Sequence, residues 1–527
     1  MRLSKQQKRA PCPNWFFTFL LLSWLHQLVL TGGFFALGQP APAWNLATLF
    51  HLAASGFYSL LYLLPMALTG FALRGLTHSH HLLKIVAVYA ISVIVLLLLR
   101  MDLLVYELYA FHFNGFVWNL ILTPGGIDSL GSSASTLLSI ALLVAQIMLV
   151  QAIALFISRR GLLTCWRRNR SLGWVTVLMT SLFLVQGTFY GISDLRQYGP
   201  VLDGSYWEQF MHARQSPLLM DRIQQLGYEL DIRTSATFTY PEFDKTLFAA
   251  VPAAVMHTAD EALPPWQRDE ENMDGLLQFL QQRDRQRPFM SFYFLESTHA
   301  GYSFPASSAL HKDYQQEMDY MKLRKEGLAI DAQPLLNRYR NAGHWIDEQL
   351  GRLYAELELQ GLLDSTIVIV TGDHGEEFME KGAWGHNSTF VAEQVRVPLV
   401  VHIPGQTAAV IDRPTSHLDI ATTLLQQLGL TNAVDDYSLG RSLFDASHRD
   451  HLVLSDWHSI GIVTPTLKYR IPYLQSGVDS WAPTNASDQP LPADNAAAEL
   501  KRAQPLILHA MRNFTRYTAA RVSTRQQ

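Results

Sequence analysis

The chain has 527 residues, 49% of them hydrophobic and 16% charged, with a formal net charge of −4. That charge is unevenly divided, since residues 1–195 carry a net charge of +8 and the remainder carries −12. The length excludes a small secreted scaffold, the apolar content excludes a disordered chain, and the acidic second part excludes a basic nucleic-acid-binding protein. A chain of this length accommodates about two to four folding units.

Long stretches without any Asp, Glu, Lys or Arg dominate the first part. A helix needs about 20 apolar residues to cross a bilayer, so these stretches predict a five-helix transmembrane domain over residues 1–195. The predicted spans are Trp15–Leu37, Leu46–Leu73, Ile85–Leu99, Ser135–Ser158 and Leu172–Ile192. The first stretch has an alternative interpretation as a cleaved signal peptide, because a basic start precedes it and small residues follow near Ala41–Ala43.

Cations are concentrated in three places: before the first span, between the second and third, and between the fourth and fifth. The positive-inside rule then predicts a cytoplasmic N-terminus and places residues 196–527 on the other side of the membrane. The chain has two cysteines, Cys12 and Cys165, and both fall on the cytoplasmic side. This agrees with the absence of a disulfide framework.

The second part alternates apolar strand patterns with amphipathic helix patterns. This alternation predicts an α/β domain over residues 196–527 with a mostly parallel sheet. The predicted strands are Pro288–Leu295, Thr366–Thr371, Val397–Ile403, Leu452–Ser455 and Ile460–Tyr473. The predicted helices are Met273–Asp284, Pro334–Gln360, Ser416–Gln427 and Ala496–Met511, the last interrupted by Pro505.

Chemically versatile side chains follow two of these strands. Asp373 and His374 come directly after Thr366–Thr371 in the string GDHGEEFMEKGAWGHNS, which also contains His386, and His299 follows the earlier strand. Ligands bind beyond the carboxyl ends of strands in open parallel sheets. An aspartate oxygen beside an imidazole suits Zn²⁺ or Mn²⁺ and, less well, Mg²⁺. We therefore expect a metal site at Asp373 and His374, with His299 and His386 beside it.

These strings resemble the sulfatase and alkaline-phosphatase superfamily. The resemblance is strongest to its membrane-anchored branch of the YejM (PbgA) type, which shares five spans, an aromatic segment of the FHFNGFVWNLILTP kind and an outward-facing sulfatase-like domain. It implies an alkaline-phosphatase-like fold, divalent-metal binding by Asp373 and His374, and catalytic or substrate contacts from His299 and His386. It also implies a bacterial inner-membrane protein whose second part is periplasmic.

One part of the family pattern has no counterpart in this sequence. Members open with a strand that ends in a metal-binding carboxylate, followed by a Thr, Ser or modified Cys nucleophile. Here fewer than thirty residues separate Ile192 from Ser216, and they contain neither an apolar strand nor a Cys/Ser-x-Pro-x-Arg motif. The first strand and the nucleophile segment therefore have no match, which is consistent with a natural deletion, a gene segment lost in annotation, or a non-catalytic member.

Two functional hypotheses follow from the resemblance. The first is a membrane-anchored hydrolase or headgroup transferase of phosphoryl or sulfuryl esters that acts on anionic lipids with Zn²⁺, Mn²⁺ or Mg²⁺. The second is a non-catalytic lipid-binding regulator of lipopolysaccharide and envelope homeostasis, in which the metal is lost. The expected partners are lipopolysaccharide, cardiolipin or phospholipid headgroups and inner-membrane proteins, and no nucleic acid. Arg196, next to the last span, is a candidate lipid-headgroup contact.

Overall fold

The computed structural model describes residues 15–38, 59–73, 81–109, 113, 115–122, 134–160, 219–240, 243–244, 246–318, 325–434, 437–447, 449–456, 459–472 and 483–514. The predicted fifth span Leu172–Ile192 and the candidate headgroup contact Arg196 lie outside these residues. Two compact units are present. Residues 1–114, 132–196 and 319–325 make up the first unit, and the remaining residues make up the second.

Helices form the described part of the first unit. They are α1 (Trp15–Gly38), α2 (Leu64–Ala72), α3 (His81–Tyr109) and α5 (Ala134–Arg160), while α4 (Gly115–Leu122) groups with the second unit. Three of the predicted spans, Trp15–Leu37, Ile85–Leu99 and Ser135–Ser158, lie within α1, α3 and α5.

Two stretches among the described residues are long and apolar enough to cross a membrane, Leu82–Tyr106 and Thr136–Arg160. Shorter apolar helices occupy Trp15–Thr31 and Leu61–Ala72. Of the predicted second span, only the end is described, and it consists of a short 3₁₀ turn followed by α2. The described residues therefore support two spans, and the prediction of five is not confirmed.

A small polar network joins α1 to α5 inside the apolar helices. The buried Ser23 hydroxyl donates to Gln151 Oε1 at 2.9 Å, and Gln151 Nε2 lies 3.1 Å from His26 Nδ1. Hydrogen bonds of this kind stabilise the packing of apolar helices against one another, because the hydrophobic effect alone does not favour a helix over other apolar surroundings.

The second unit is an α/β fold whose first three strands form a parallel sheet. In chain order it begins with α6 (Leu219–Gln225), β1 (Glu229–Thr234), β2 (Met256–Thr258), α7 (Pro265–Gln282) and β3 (Phe289–Phe294). Strand β1 lies between β2 and β3 and pairs with both in parallel. Its central Ile232 is fully buried, in a cluster that contains Phe248, Phe292 and Met220.

The remaining elements follow α8 (Lys325–Ile330). They are α9 (Gln333–Leu359), β4 (Val368–Thr371), β5 (Glu377–Phe378), β6 (Trp384–Gly385), α10 (Ala392–Val395), β7 (Leu399–His402), α11 (Leu418–Gln427), β8 (Leu452–Ser455), β9 (Ser459–Val463), β10 (Leu467–Pro472), β11 (Thr484–Asn485) and α12 (Ala493–Phe514).

The strands of this later group pair antiparallel, so the sheet is less parallel than the sequence predicts. Strand β4 pairs antiparallel with β7, and β8 to β11 form a separate four-stranded antiparallel sheet. The predicted strand Ile460–Tyr473 is in fact the hairpin of β9 and β10, whose turn includes Thr464. Helix α12 continues through Pro505 and presents Ala503 and Ala510 to the β8–β11 sheet.

Strands β3 and β4 position the predicted site residues. Both contact the same helical layer, because Phe289 and Tyr293 of β3 and Val368 of β4 pack against a cluster from α7 and α9 that includes Leu276 and Leu357. In the described residues, β3 is hydrogen-bonded to β1 and β4 to β7, and the two strands are not bonded to each other.

Candidate functional site

The segment after β3 folds back in a series of tight turns that presents His299. The His299 N–H donates to the Glu296 carbonyl at 2.9 Å, and the Tyr302 N–H donates to the His299 carbonyl at 2.8 Å. Tyr302 is fully buried and has a positive φ of 44°, an uncommon conformation for a bulky residue. Strain of this kind persists where the surroundings determine the conformation.

A buried carboxylate of α7 fixes the beginning of this segment. Asp269 is fully buried, and its two oxygens accept the N–H groups of Glu296 and Ser297, each at 2.9 Å. The neighbouring Arg268 Nη2 lies 2.9 Å from Glu296 Oε2. Helix α7 therefore anchors the chain three residues before His299.

The segment after β4 approaches α10 closely. The Gly375 N–H donates to the Gln394 carbonyl at 2.8 Å, and a Cβ on Gly375 would lie 2.1 Å from the Glu393 carbonyl oxygen. Only glycine fits this position without a shift of the backbone. This close approach to α10 fixes the backbone that carries His374 and Glu376.

Three histidines meet in one cluster. The His374 and His386 rings are stacked, with centroids 4.0 Å apart and an interplanar angle of 28°. The His299 ring lies 6.0 Å from the His386 ring. The ligating atoms of His374, Glu376 and His386 all lie within 4.8 Å of one another. We refer to His299, His374, Glu376 and His386 as the histidine cluster.

Glu376 connects this cluster to the protein core. Its Oε2 lies 2.6 Å from His386 Nδ1, and its Oε1 accepts the Tyr302 hydroxyl proton at 2.6 Å. The Trp384 indole N–H in turn donates to the Tyr302 hydroxyl oxygen at 3.2 Å. A carboxylate on Nδ1 fixes the orientation of the His386 ring and leaves Nε2 as the nitrogen available to a ligand.

The pKa values of the two buried histidines, His299 and His386, shift in opposite directions. Burial alone would lower the pKa of His386, but the Glu376 carboxylate outweighs burial and raises this pKa. Burial would likewise raise the pKa of Glu376, yet the His386 imidazolium lowers it. Burial, reinforced by the charge on His386, lowers the pKa of His299 to about 4. The cluster thus combines a charged pair with a neutral imidazole.

The donor set of the cluster fits a divalent metal. Two imidazole nitrogens with a carboxylate oxygen are typical zinc ligands. In addition, His299 Nδ1 is buried and has no hydrogen-bond partner among the described residues, so a third nitrogen lacks a partner at the edge of the cluster. His374, Glu376 and His386 are therefore the residues that would hold the ion.

Asp373 lies at the margin of the cluster. Its Oδ2 is 3.6 Å from His374 Nε2, and its Oδ1 accepts the His374 N–H at 3.0 Å, but its side chain is 61% exposed. It is not among the three residues whose ligating atoms come together. Of the predicted site residues, His299, His374 and His386 are brought together in one cluster.

Sequence reasoning missed Glu376 and Tyr302. Glu376 lies in the string GDHGEE, directly after Gly375. That glycine is a signal in the sequence, since a residue that follows a tight turn can point back toward the strand end. Tyr302 carries no such signal, because its role depends on a turn that only the folded chain reveals.

Comparison with known proteins identifies two families along the chain. Residues 186–430 match the Sulfatase family model, and residues 3–207 match a domain of unknown function, DUF3413. The sulfatase match thus begins inside the predicted fifth span Leu172–Ile192.

Individual proteins similar to this chain include a membrane protein, a sulfatase and a hydrolase. The inner membrane protein YejM of Salmonella typhi is 26% identical over 290 residues, which cover 53% of this chain and 40% of that protein. The match therefore spans about two fifths of the YejM length. Choline-sulfatase of Rhizobium meliloti is 33% identical over 87 residues, 16% of this chain and 17% of that enzyme. Among solved structures, the phosphonate monoester hydrolase of Agrobacterium radiobacter has 16% identity and a TM-score of 0.40, covering 57% of this chain and 81% of that one.

Proposed function

This chain is a YejM-like member of the sulfatase family, and on that premise we propose that it acts at a membrane on anionic lipid headgroups. In this proposal it is a metal-dependent hydrolase or headgroup transferase of phosphoryl or sulfuryl esters. The observation that carries the proposal is the histidine cluster, in which the carboxylate of Glu376 orients His386 beside His374 and the neutral His299.

The chemistry of the cluster suits a tetrahedral oxyanion. Members of the superfamily generally use a divalent metal, and such an ion polarises the ester oxygen and lowers the pKa of an attacking group. His374, Glu376 and His386 would hold it. His299 is then the group left to accept or return a proton, because its low pKa keeps the imidazole neutral near pH 7.

This proposal moves His386 from the catalytic or substrate-contact role that the resemblance implies to a ligand role. The reason is geometric: His386 stacks on His374, whereas His299 stands 6.0 Å away. Asp373, at the margin, remains a candidate ligand that would complete the set after a small rotation of its exposed side chain.

We propose a location in a bacterial inner membrane, with several spans and the second unit in the periplasm. Relatives named as inner membrane proteins and the two apolar helices support it. The two native cysteines provide a test. A membrane-impermeant maleimide added to intact spheroplasts should leave Cys12 and Cys165 unlabelled and should label a cysteine introduced at the exposed Gln406. Labelling of Cys165 from outside would reverse the orientation.

A second candidate function rests on the segment before Ser216. It contains no apolar strand and no nucleophile motif, which favours a non-catalytic protein that binds lipid headgroups and regulates envelope homeostasis. In that case lipopolysaccharide, cardiolipin or phospholipid would bind at the histidine cluster, with Arg196 as a candidate contact. An inner-membrane protein would be the regulated partner.

One experiment separates the two candidates. The full chain in detergent would be mixed with bis-p-nitrophenyl phosphate, with p-nitrophenyl sulfate, and with vesicles of phosphatidylethanolamine and phosphatidylglycerol. The enzyme proposal predicts turnover that is lost in His299→Ala and retained in His344→Ala, a histidine on α9. Headgroup binding without turnover supports the regulator. Neither binding nor turnover contradicts both.

A further inference from the structure

A cavity in the same unit runs along β1, and none of its lining residues belongs to the histidine cluster. Its volume is about 690 Å³, and its wall includes Glu229 at the beginning of β1 and Arg287 just before β3. His299 follows the other end of β3. The wall also follows β1 through Asp231 to Arg233, one residue before the end of that strand. The cavity and the histidine cluster share no residue and are treated as separate sites.

We propose that this cavity binds a small organic molecule that carries a phosphate or sulfate group. Three arginines, Arg233, Arg283 and Arg287, line it together with His257 and the glutamines 224, 278 and 282. Guanidinium groups match the geometry of tetrahedral oxyanions and bind them through paired hydrogen bonds. We refer to these lining residues as the arginine cavity.

One of the three arginines is already neutralised. Arg233 makes two bonds to Asp231, from Nε at 3.0 Å and from Nη2 at 2.8 Å, and Asp231 is 1% exposed. Its guanidinium also lies directly against α7, where a Cβ on Gly275 would be 2.1 Å from Nη1. Arg233 and Asp231 thus form a fixed ion pair that adds no net charge to the wall of the cavity.

The other two arginines have only carbonyl partners among the described residues. Arg283 Nη1 donates to the carbonyls of Asp284 at 3.3 Å and Arg287 at 3.2 Å, and its Nε is buried without a partner. Arg287 donates from Nε and Nη2 to the Gly227 carbonyl at 3.2 and 3.0 Å. Carbonyl oxygens hold these cations in place but do not cancel their charge.

The positions of these charges are prepared in advance of any ligand. The Arg283 guanidinium stacks on the Phe289 ring with 4.6 Å between its Cζ and the ring centroid. The carboxylate of Glu229, which also faces the cavity, accepts the Asp284 N–H at 3.1 Å and holds the turn that carries both arginines. Cations that are already held by such contacts lose less side-chain entropy on binding an anion than free side chains do.

The cavity has room for more than one phosphate ion, so the anion can be part of a larger molecule. Small-molecule sites in proteins typically have volumes of about 300–1,000 Å³, well above that of one phosphate ion. The amide groups of Gln278 and Gln282 offer neutral hydrogen-bond donors and acceptors that suit hydroxyl groups. A phosphorylated or sulfated sugar has this combination of groups.

Isothermal titration of the full chain in detergent tests this assignment, with glucose 6-phosphate and glucose 6-sulfate as probes and glucose as the uncharged control. We expect one or both anionic sugars to bind and glucose not to bind. The double variant Arg283→Gln/Arg287→Gln should weaken binding at least about tenfold, because charge-assisted hydrogen bonds are lost. Arg285→Gln removes the same charge from the same turn outside the cavity and should leave binding unchanged.

Two further variants keep the test decisive if the double variant unfolds. Gln282→Glu adds a negative charge to the cavity without removing any described hydrogen bond and should also weaken binding, whereas His386→Ala should not. The proposal is overturned if neither anionic sugar binds, if Arg285→Gln weakens binding as much as the double variant, or if His386→Ala abolishes it.

Discussion

His386 Nδ1 lies 2.6 Å from Glu376 Oε2, and this buried ion pair sets the electrostatics of the histidine cluster. The same carboxylate accepts the Tyr302 hydroxyl, so its charge is stabilised from two sides. The raised pKa of His386 favours its charged form, and this charge adds to burial, the larger effect, in lowering the pKa of the neighbouring His299. The pKa values of the two imidazoles therefore shift in opposite directions.

Replacing Glu376 by Gln should lower the pKa of His386. The amide removes the negative charge that outweighs burial, and burial then dominates the shift. Nuclear magnetic resonance of metal-free protein with ¹³C-labelled histidine would follow the titration, with His386→Ala to assign the signal. Tyr302→Phe is the matched control, since it removes a partner of Glu376 but leaves the carboxylate charge. A His386 pKa that is equal in wild type and Glu376→Gln would refute the ion pair.

Replacing Asp269 by Asn should destabilise the second unit by about 1–3 kcal/mol. Asp269 accepts two backbone N–H groups with its two oxygens, and an Asn amide has only one oxygen, so one buried N–H loses its acceptor. Urea unfolding followed by tryptophan fluorescence measures the loss. Asp274→Asn, on the exposed face of the same helix, should change the stability by less than about 0.5 kcal/mol. Equal losses in the two variants would argue against the anchor.

Glu296 should make the second unit less stable as the pH rises from 4.5 to about 7. Burial, together with Asp269, raises the pKa of Glu296 from 4.5 to about 7 against the opposing effect of Arg268. In this window the folded chain holds a proton that the unfolded chain releases, so stability falls with rising pH, by up to about 3 kcal/mol. Unfolding midpoints of wild type and Glu296→Gln across the window should converge at low pH. Parallel pH profiles for the two proteins would contradict the shift.

The core of the parallel sheet should be sensitive to the loss of volume at Ile232. This side chain is fully buried in β1, and Ile232→Ala should cost about 2–5 kcal/mol. Ile330 is 87% exposed, so Ile330→Ala provides a control of the same chemistry with little expected effect. The difference between their urea midpoints measures the contribution of burial. Similar midpoints would show that β1 does not belong to the cooperative core.

Apolar periodicity was sufficient to locate most elements of the second unit. The strand predicted at Leu452–Ser455 has those bounds, and the helix predicted at Pro334–Gln360 lies within one residue of its observed limits. Apolar periodicity does not predict whether two strands pair in parallel or antiparallel. A continuous apolar run such as β4 fits either a parallel or an antiparallel neighbour, and the antiparallel pairing depends on where β7 arrives in the fold.

Motif reasoning led to the expectation that His299, His374 and His386 lie near one another, as they do in the structure, but it did not reach their interactions. Strand ends bring His299 and His374 to one place because both strands pack on the same helices. The Glu376–His386 contact depends on the tight passage at Gly375 and on the short β5–β6 hairpin that returns Trp384 and His386 to the site. Residue spacing does not encode that return.

Zinc stoichiometry tests the central claim most directly. The full chain would be loaded with zinc in detergent, dialysed against metal-free buffer and measured by mass spectrometry of the metal. We predict close to one zinc per chain in wild type and in His344→Ala, and almost none in the double variant His374→Ala/His386→Ala. Wild-type protein that retains no zinc, or a double variant that retains it fully, would contradict the assignment of the histidine cluster as the metal site.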